Sequence, residues 1–299
     1  MTGATGFVGG ATLNQAVAAG WRVRALTRRP QPEREGVTWI KGALDEPDSL
    51  ADMAAGSDAL LHVAGVVNVP TRAAFEGGNV VATGQVIDAA RRAGITRFIH
   101  VSSLAAREPA ISNYSWSKAR AETIVRASGL DWTIVRPPAV FGPADTEMLD
   151  LFRMARRGVA LLPPKGRMSA IYVEELARLL VALLADSDAS IGATYEPDDG
   201  RPYGWSHRSF ARAIGRAVGR GHVSTLAVPR MVLKAGGRLD TLVRRGRAKL
   251  TPDRARYIAH PDWVVAAGAL PPPELWRPEI ATSDALAETV RWYRREGWL

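Results

Sequence analysis

Residues 2–10 read TGATGFVGG, which sets Gly3, Gly6 and Gly9 three apart directly before an apolar stretch of helical periodicity. Each glycine has a physical task in a strand-to-helix turn that takes a dinucleotide. One makes a tight bend, one lets the backbone approach a pyrophosphate, and one packs helix closely on strand, with the helix amino terminus facing the phosphates. With 28 glycines in 299 residues, chance gives roughly 0.2 such spacings per chain, so context carries the weight.

Outward from the turn, WRVRALT (21–27), VTWIKG (37–42), DALLHVAG (58–65), RFIHVSS (97–103) and WTIVRP (132–137) read as successive strands. The stretches between them have helical spacing and end on glycine, the residue that tolerates the left-handed conformation past a helix end. Strands alternating with helices predict an α/β fold, a Rossmann-type doubly wound parallel sheet. After Gly142 the alternation fails. The proline-punctuated remainder predicts a smaller C-terminal substrate lobe, with AIYVEELARLLVALLA (170–185) returning to the sheet. The expected division is residues 1–141 plus about 168–186 for the nucleotide-binding domain, and about 142–167 and 187–299 for the lobe.

Composition narrows the rest. The chain is 46% hydrophobic and 23% charged, as in ordinary globular proteins, and it lacks cysteine. A disulfide framework, a thiolate nucleophile and a cysteine zinc site are excluded, and no carboxylate or histidine cluster suggests a metal. Apolar runs stay well short of the ~20 residues of a membrane span, and no basic-then-apolar leader opens the chain, so a cytoplasmic protein is expected. The net charge of +9 is local. Residues 201–257 hold 14 Lys and Arg against Asp240 and Asp253, leaving the remainder slightly acidic.

The ordered motifs TGATGFVGG, HVSS (100–103), YSWSK (114–118), RPPAVFGP (136–143) and IYVEELA (171–177) resemble those of the extended short-chain dehydrogenase/reductase superfamily, the NAD-dependent epimerase/dehydratase group. The resemblance implies a nicotinamide cofactor held by Gly3, Thr5, Gly6, Phe7, Val8, Gly9, Leu44, Ala64 and Gly65, with Pro137 and Val140 on the nicotinamide side. In this fold the turn follows the central strand, yet only Met1 and Thr2 precede Gly3. The expectation is therefore an opening strand truncated by roughly four to eight residues.

The second strand ends LTRRP, with Arg28 and Arg29 and no acid before Glu33. A ribose 2′-hydroxyl calls for a carboxylate at this place and a 2′-phosphate for cations, so NADP(H) is preferred, with NAD(H) open. A solvated basic loop is the bland alternative. Ala43 stands where relatives carry an aspartate near the adenine.

Tyr114 and Lys118 form Y-x-x-x-K, and residues four apart share a helix face. An ammonium there stabilises a phenolate, draws the tyrosine down from its ordinary value near 10 and can bond the nicotinamide ribose, so Tyr114 and Lys118 are expected in the cofactor site as well. Ser103 matches the serine that hydrogen-bonds the substrate oxygen, with Ser102 the neighbouring alternative because strand side chains alternate. Asn79 resembles an asparagine that helps water reach the lysine, and equally fits a helix amino-terminal cap. His62 and His100 lie in apolar strands and read as structural, and Glu174 and Glu175 read as dipole-favoured helix starters.

These features predict an NADP(H)-dependent oxidoreductase that moves a hydride between nicotinamide and a carbonyl or alcohol, with Tyr114 exchanging the proton. Leu104 and Ala105 replace the acid pair that dehydration needs. The short segment between Ser103 and Tyr114 favours a compact or lipophilic substrate over a sugar nucleotide. Two rivals stay open: an epimerase that retains NAD, and a non-catalytic accessory or sensor protein. The expected partner is a small molecule. A homodimer stays open, and nucleic acid is disfavoured because no binding motif accompanies the charge. In VPRMVLKAGGRLDTLVRRGRAKL (228–250), Val232, Ala235, Leu239 and Leu242 share helical spacing while Lys234, Arg238 and Arg245 fall elsewhere. That stretch fits a lobe helix, a lid or a membrane-surface anchor.

Overall fold

The computed structural model describes residues 1–185, 188–244 and 248–299. They form two compact units: residues 1–137, 176–196 and 271–276, and residues 138–175, 197–270 and 277–299.

In the first unit the chain runs α1 (Phe7–Ala18), β1 (Val23–Thr27), β2 (Val37–Lys41), α2 (Pro47–Ala54), β3 (Ala59–His62) and α3 (Arg72–Phe75). A π-helical segment (Glu76–Val81) then leads into α4 (Ala82–Arg92), followed by β4 (Arg97–Val101), α5 (Asn113–Arg126) and β5 (Asp131–Val135). Strands β3, β4 and β5 pair in parallel, as do β1 and β2. Parallel neighbours need crossovers: α3, the π-helical segment and α4 supply the one from β3 to β4 and α5 the one from β4 to β5, whereas a helix-free loop (28–36) joins β1 to β2. Leu26 N donates to Met1 O at 3.0 Å and Thr2 N donates to Leu61 O at 3.0 Å, so Met1 and Thr2 lie between β1 and β3.

Leu26, Leu50, Met53, Leu60, Val86, Ile87, Phe98 and Ile134 form one buried cluster. It draws on β1, α2, β3, α4, β4 and β5 and fixes the strand ends that carry the site. Arg97 is buried on the opposite sheet face. Its guanidinium donates to Leu183 O and to the hydroxyls of Thr133 and Ser190, which is how a full charge is accommodated there.

The second unit continues with β6 (Ala139–Phe141), α6 (Leu149–Arg156), β7 (Val159–Leu162), β8 (Arg167–Met168) and β9 (Ala170–Tyr172). Helix α7 (Val173–Ala182) crosses the division at Glu175/Leu176, and β10 (Thr194–Tyr195) joins the first unit's sheet beside β5. There follow β11 (Trp205–Ser206), α8 (His207–Ala217), β12 (Ser224–Ala227), α9 (Arg230–Arg244), α10 (Pro252–Ile258), β13 (Asp262–Trp263) and α11 (Thr282–Arg295). Its core is aromatic: Phe210 meets both Phe141 and Trp205 edge-on, and Phe152 meets Tyr293. Glu175 does more than favour a helix dipole. It is buried, and its Oε1 accepts from the amides of Glu279 and Ile280 at 2.8 and 2.7 Å.

Candidate active site

The glycine turn has the geometry its spacing predicts. Gly3 takes φ +74°, and a Cβ there would lie 2.7 Å from Ala64 N. A Cβ on Gly9 would lie 1.9 Å from Gly3 O, so only glycine lets α1 approach the turn this closely. Gly6 caps α1 with no side-chain bond, which leaves the first amides of the helix, beginning at Phe7 and Val8, without a protein acceptor from a cap. Thr5 and Gly6 are exposed beside them. A helix amino terminus without a capping side chain, framed by backbone that tolerates no Cβ, fits a phosphate-bearing cofactor.

At the end of β1, Thr27 Oγ1 donates to Arg29 O at 2.8 Å and accepts from Arg29 N, closing a turn that leaves Arg28 and Arg29 exposed. Leu44 is half-buried against the main core cluster. Past β3, Ala64 N donates to Thr2 Oγ1, and Gly65 sits where a Cβ would be 2.9 Å from Asn79 Oδ1 and 3.7 Å from Lys118 Nζ. The loop after β3, the π-helical segment and α5 therefore converge at Gly65.

Asn79 lies inside the π-helical segment, and this overturns the alternative that it caps a helix. Thr71 caps α3, accepting from Ala74 N. Asn79 instead clamps the loop: Oδ1 accepts from Val66 N at 2.7 Å, while Nδ2 donates to Val66 O and to Ser117 Oγ, both at 2.9 Å. π-Helical insertions re-aim side chains in this way and concentrate at functional sites.

Ser112 caps α5, its Oγ accepting from Ser115 N at 3.0 Å. Tyr114 is half-buried in the first turn of the helix, its ring 6.0 Å from that of Phe75. One turn on, Lys118 is buried, and its Nζ donates to Val101 O at 2.9 Å. Burial pushes the ammonium down to about 8, partly opposed by the Glu122 carboxylate.

The two serines after β4 have different partners. Ser102 Oγ donates to Glu122 Oε1 at 2.6 Å, whereas Ser103 starts a 3₁₀ turn (Leu104–Arg107), its Oγ accepting from Ala105 N. Glu122 is buried and also takes Arg136, whose Nε and Nη2 reach its two oxygens at 2.8 and 2.7 Å. Arg136 continues to Glu196, and Arg107 meets the same carboxylate. This chain of charges joins residues far apart in the sequence. Its one local signal is Glu122 lying four residues beyond Lys118 on the same helix.

His62 and His100 stack at 5.4 Å in the sheet interior. His62 bridges Thr2 and Thr83, and burial pushes it down to about 3. Pro137 is buried, its carbonyl accepting from Leu104 N at 3.0 Å. Val140 belongs to the second unit, in β6, which pairs in parallel with β9.

Residues 3–187 match a family model described as NAD(P)H-binding. Over its whole length the chain is 35% identical to a ceramide reductase of Caulobacter vibrioides, covering 95% of that protein. It is 28% identical to a 2-alkyl-3-oxoalkanoate reductase of Stenotrophomonas maltophilia, over 88% of this chain and 89% of that one. Among solved structures, a double mutant of DesIV, a dTDP-glucose 4,6-dehydratase from Streptomyces venezuelae with NAD bound, superposes with a TM-score of 0.71. That match covers 99% of this chain and 97% of the other at 21% identity, a likeness of fold.

Proposed function

This chain belongs to the NAD(P)H-binding family, in the extended short-chain dehydrogenase/reductase group, and is an NAD(P)-dependent oxidoreductase; on that premise we propose that it reduces a lipophilic ketone with NADPH, Tyr114 supplying the proton. The observation that carries the reading is the buried Lys118, tied to Val101 O one helix turn beyond Tyr114.

When bound, the nicotinamide supplies the hydride. The glycine turn and the uncapped start of α1 would hold the pyrophosphate, and Arg28 and Arg29 would offer cations to a 2′-phosphate. Tyr114 gives its phenolic proton to the carbonyl oxygen as that oxygen becomes an alkoxide, while Ser103 donates a hydrogen bond to the same oxygen. The resulting phenolate is stabilised by the Lys118 ammonium, which is strengthened by lying out of water. Asn79 positions the loop from Gly65 to Val66 against Lys118.

The substrate class draws on the names of two of the relatives, a ceramide reductase and a 2-alkyl-3-oxoalkanoate reductase, whose named substrates both bear alkyl chains. The short Ser103-to-Tyr114 segment supports the same reading. The test is to follow NADPH absorbance with ketones graded from short to long alkyl chains. The expectation is a kcat/KM that rises by about 5- to 200-fold with each buried stretch of one to three methylenes, until the pocket is filled. Turnover of short polar ketones alone would overturn the substrate class.

A further inference from the structure

Helix α9 (Arg230–Arg244) carries its apolar face outward. Met231, Val232, Leu239, Leu242 and Val243 are all exposed, Met231 by 84% and Leu242 by 76%. At 100° per residue these five, with Ala235, occupy one stripe about 120° wide. The opposite face is the one that packs. Gly237 is the buried residue of the helix, and a Cβ there would lie 3.0 Å from Pro252 N at the start of α10. Arg230 is fastened to Ala259 O, and Asp240 holds Arg244 and the Leu250 amide. The inner face is thus already engaged within its own unit, and the outer stripe is left over. β12, which leads into α9, also exposes Leu226 opposite the exposed Leu161 of β7.

Charge says what such a face would meet. Lys234 and Arg238 are exposed and flank the stripe on one side. Residues 228–250 carry seven Lys and Arg against the single acid Asp240. Arg245, which the sequence pattern grouped with Lys234 and Arg238, lies outside the described residues. Two copies meeting through this face would bring like charges together, whereas a bilayer with anionic headgroups attracts the cations and takes up the apolar stripe. That combination is the chemistry of a helix lying in the membrane interface. Among the described residues no helix is long and apolar enough to cross a membrane.

We infer that α9 docks this protein on the surface of an anionic lipid bilayer, with Met231, Val232, Leu239, Leu242 and Val243 in the headgroup region and Lys234 and Arg238 against the lipid phosphates. The inference stands on α9 and does not rest on the reductase reading.

Flotation of the purified full chain with phosphatidylcholine vesicles, plain or containing roughly a third phosphatidylglycerol, tests it. The expected result is co-flotation with the anionic vesicles, at least about tenfold weaker with the neutral ones and reduced by high salt. Leu239→Ser/Leu242→Ser and, separately, Lys234→Glu/Arg238→Glu are each expected to lower flotation at least about tenfold while the circular dichroism spectrum and thermal midpoint stay at wild-type values. Wild-type protein that stays in solution, or both variants floating like wild type, overturns the proposal. So does a wild-type dimer that Leu239→Ser/Leu242→Ser separates without any vesicle binding, which assigns the face to a second copy.

Discussion

Lys118 Nζ donates to the carbonyl oxygen of Val101 at 2.9 Å, so an ammonium on α5 is pinned to the last residue of β4. The bond ties the Y-x-x-x-K helix to the strand end that leads into Ser102 and Ser103. It also keeps the lysine in place in surroundings that disfavour its charge.

That burial has a pH signature. Lys118 is held down to about 8 from an ordinary 10.5, so below about pH 8 the folded chain carries a buried cation that the unfolded chain keeps in water. Between the two values the unfolded state binds more protons, and stability rises with pH across that window. Lys118→Met removes the buried charge. Its thermal midpoint at pH 7 is expected to match or exceed that of wild type, while turnover falls by at least about a hundredfold. Wild-type ketone reduction is expected to decline as pH rises through about 8. A midpoint well below wild type together with retained turnover would contradict the role given to Lys118.

The two serines separate stability from chemistry. Ser102→Ala strips the buried Glu122 of a donor at 2.6 Å and is expected to cost about 1–3 kcal/mol in urea unfolding while leaving most turnover. Ser103→Ala is expected to do the reverse, with kcat lowered by about 10²-fold and stability within about 1 kcal/mol. Exchanged outcomes would reassign the two hydroxyls.

Asn79 should behave as a clamp. Asn79→Ala leaves Val66 N and Val66 O without side-chain partners, and a loss of about 1–3 kcal/mol is expected from thermal or urea unfolding. Amide exchange at Val66 is expected to speed up by a larger factor than exchange in β4. Uniform acceleration across the unit would mean that Asn79 acts on global stability alone.

Arg28 and Arg29 test cofactor choice. If they meet a 2′-phosphate, Arg28→Ala raises KM for NADPH by about 10- to 100-fold and barely moves that for NADH, in line with about 1.5–3 kcal/mol for a charge-assisted bond. Wild-type protein with equal affinity for the two would refute NADP(H) preference.

What could be read from the sequence was whatever its chemistry kept local. The glycine turn, the five strands and Tyr114 with Lys118 each declare themselves within a few residues, because bends, periodicity and helix faces are short-range properties. Alternation places Ser102 and Ser103 on different faces, but only the position of α5 says which of them meets Glu122. The π-helical segment stayed hidden for a related reason: Asn79 opens a stretch of good helical pattern, and what re-aims it is the Val66 backbone thirteen residues earlier. Strands of two residues such as β8, β11 and β13 are too short to show a period. The amphipathic spacing of α9 was visible, but not that its apolar side faces solvent, because Gly237 seats the helix by a contact with Thr251 and Pro252.

Tyr114→Phe separates proton exchange from cofactor binding most directly. The ring contact with Phe75 survives this substitution and only the hydroxyl is lost. Measured side by side, NADPH affinity is expected to stay within about threefold of wild type while ketone reduction falls by at least about 10²–10⁴-fold. Reduction at a rate near that of wild type, with NADPH still bound, would contradict Tyr114 as the proton donor.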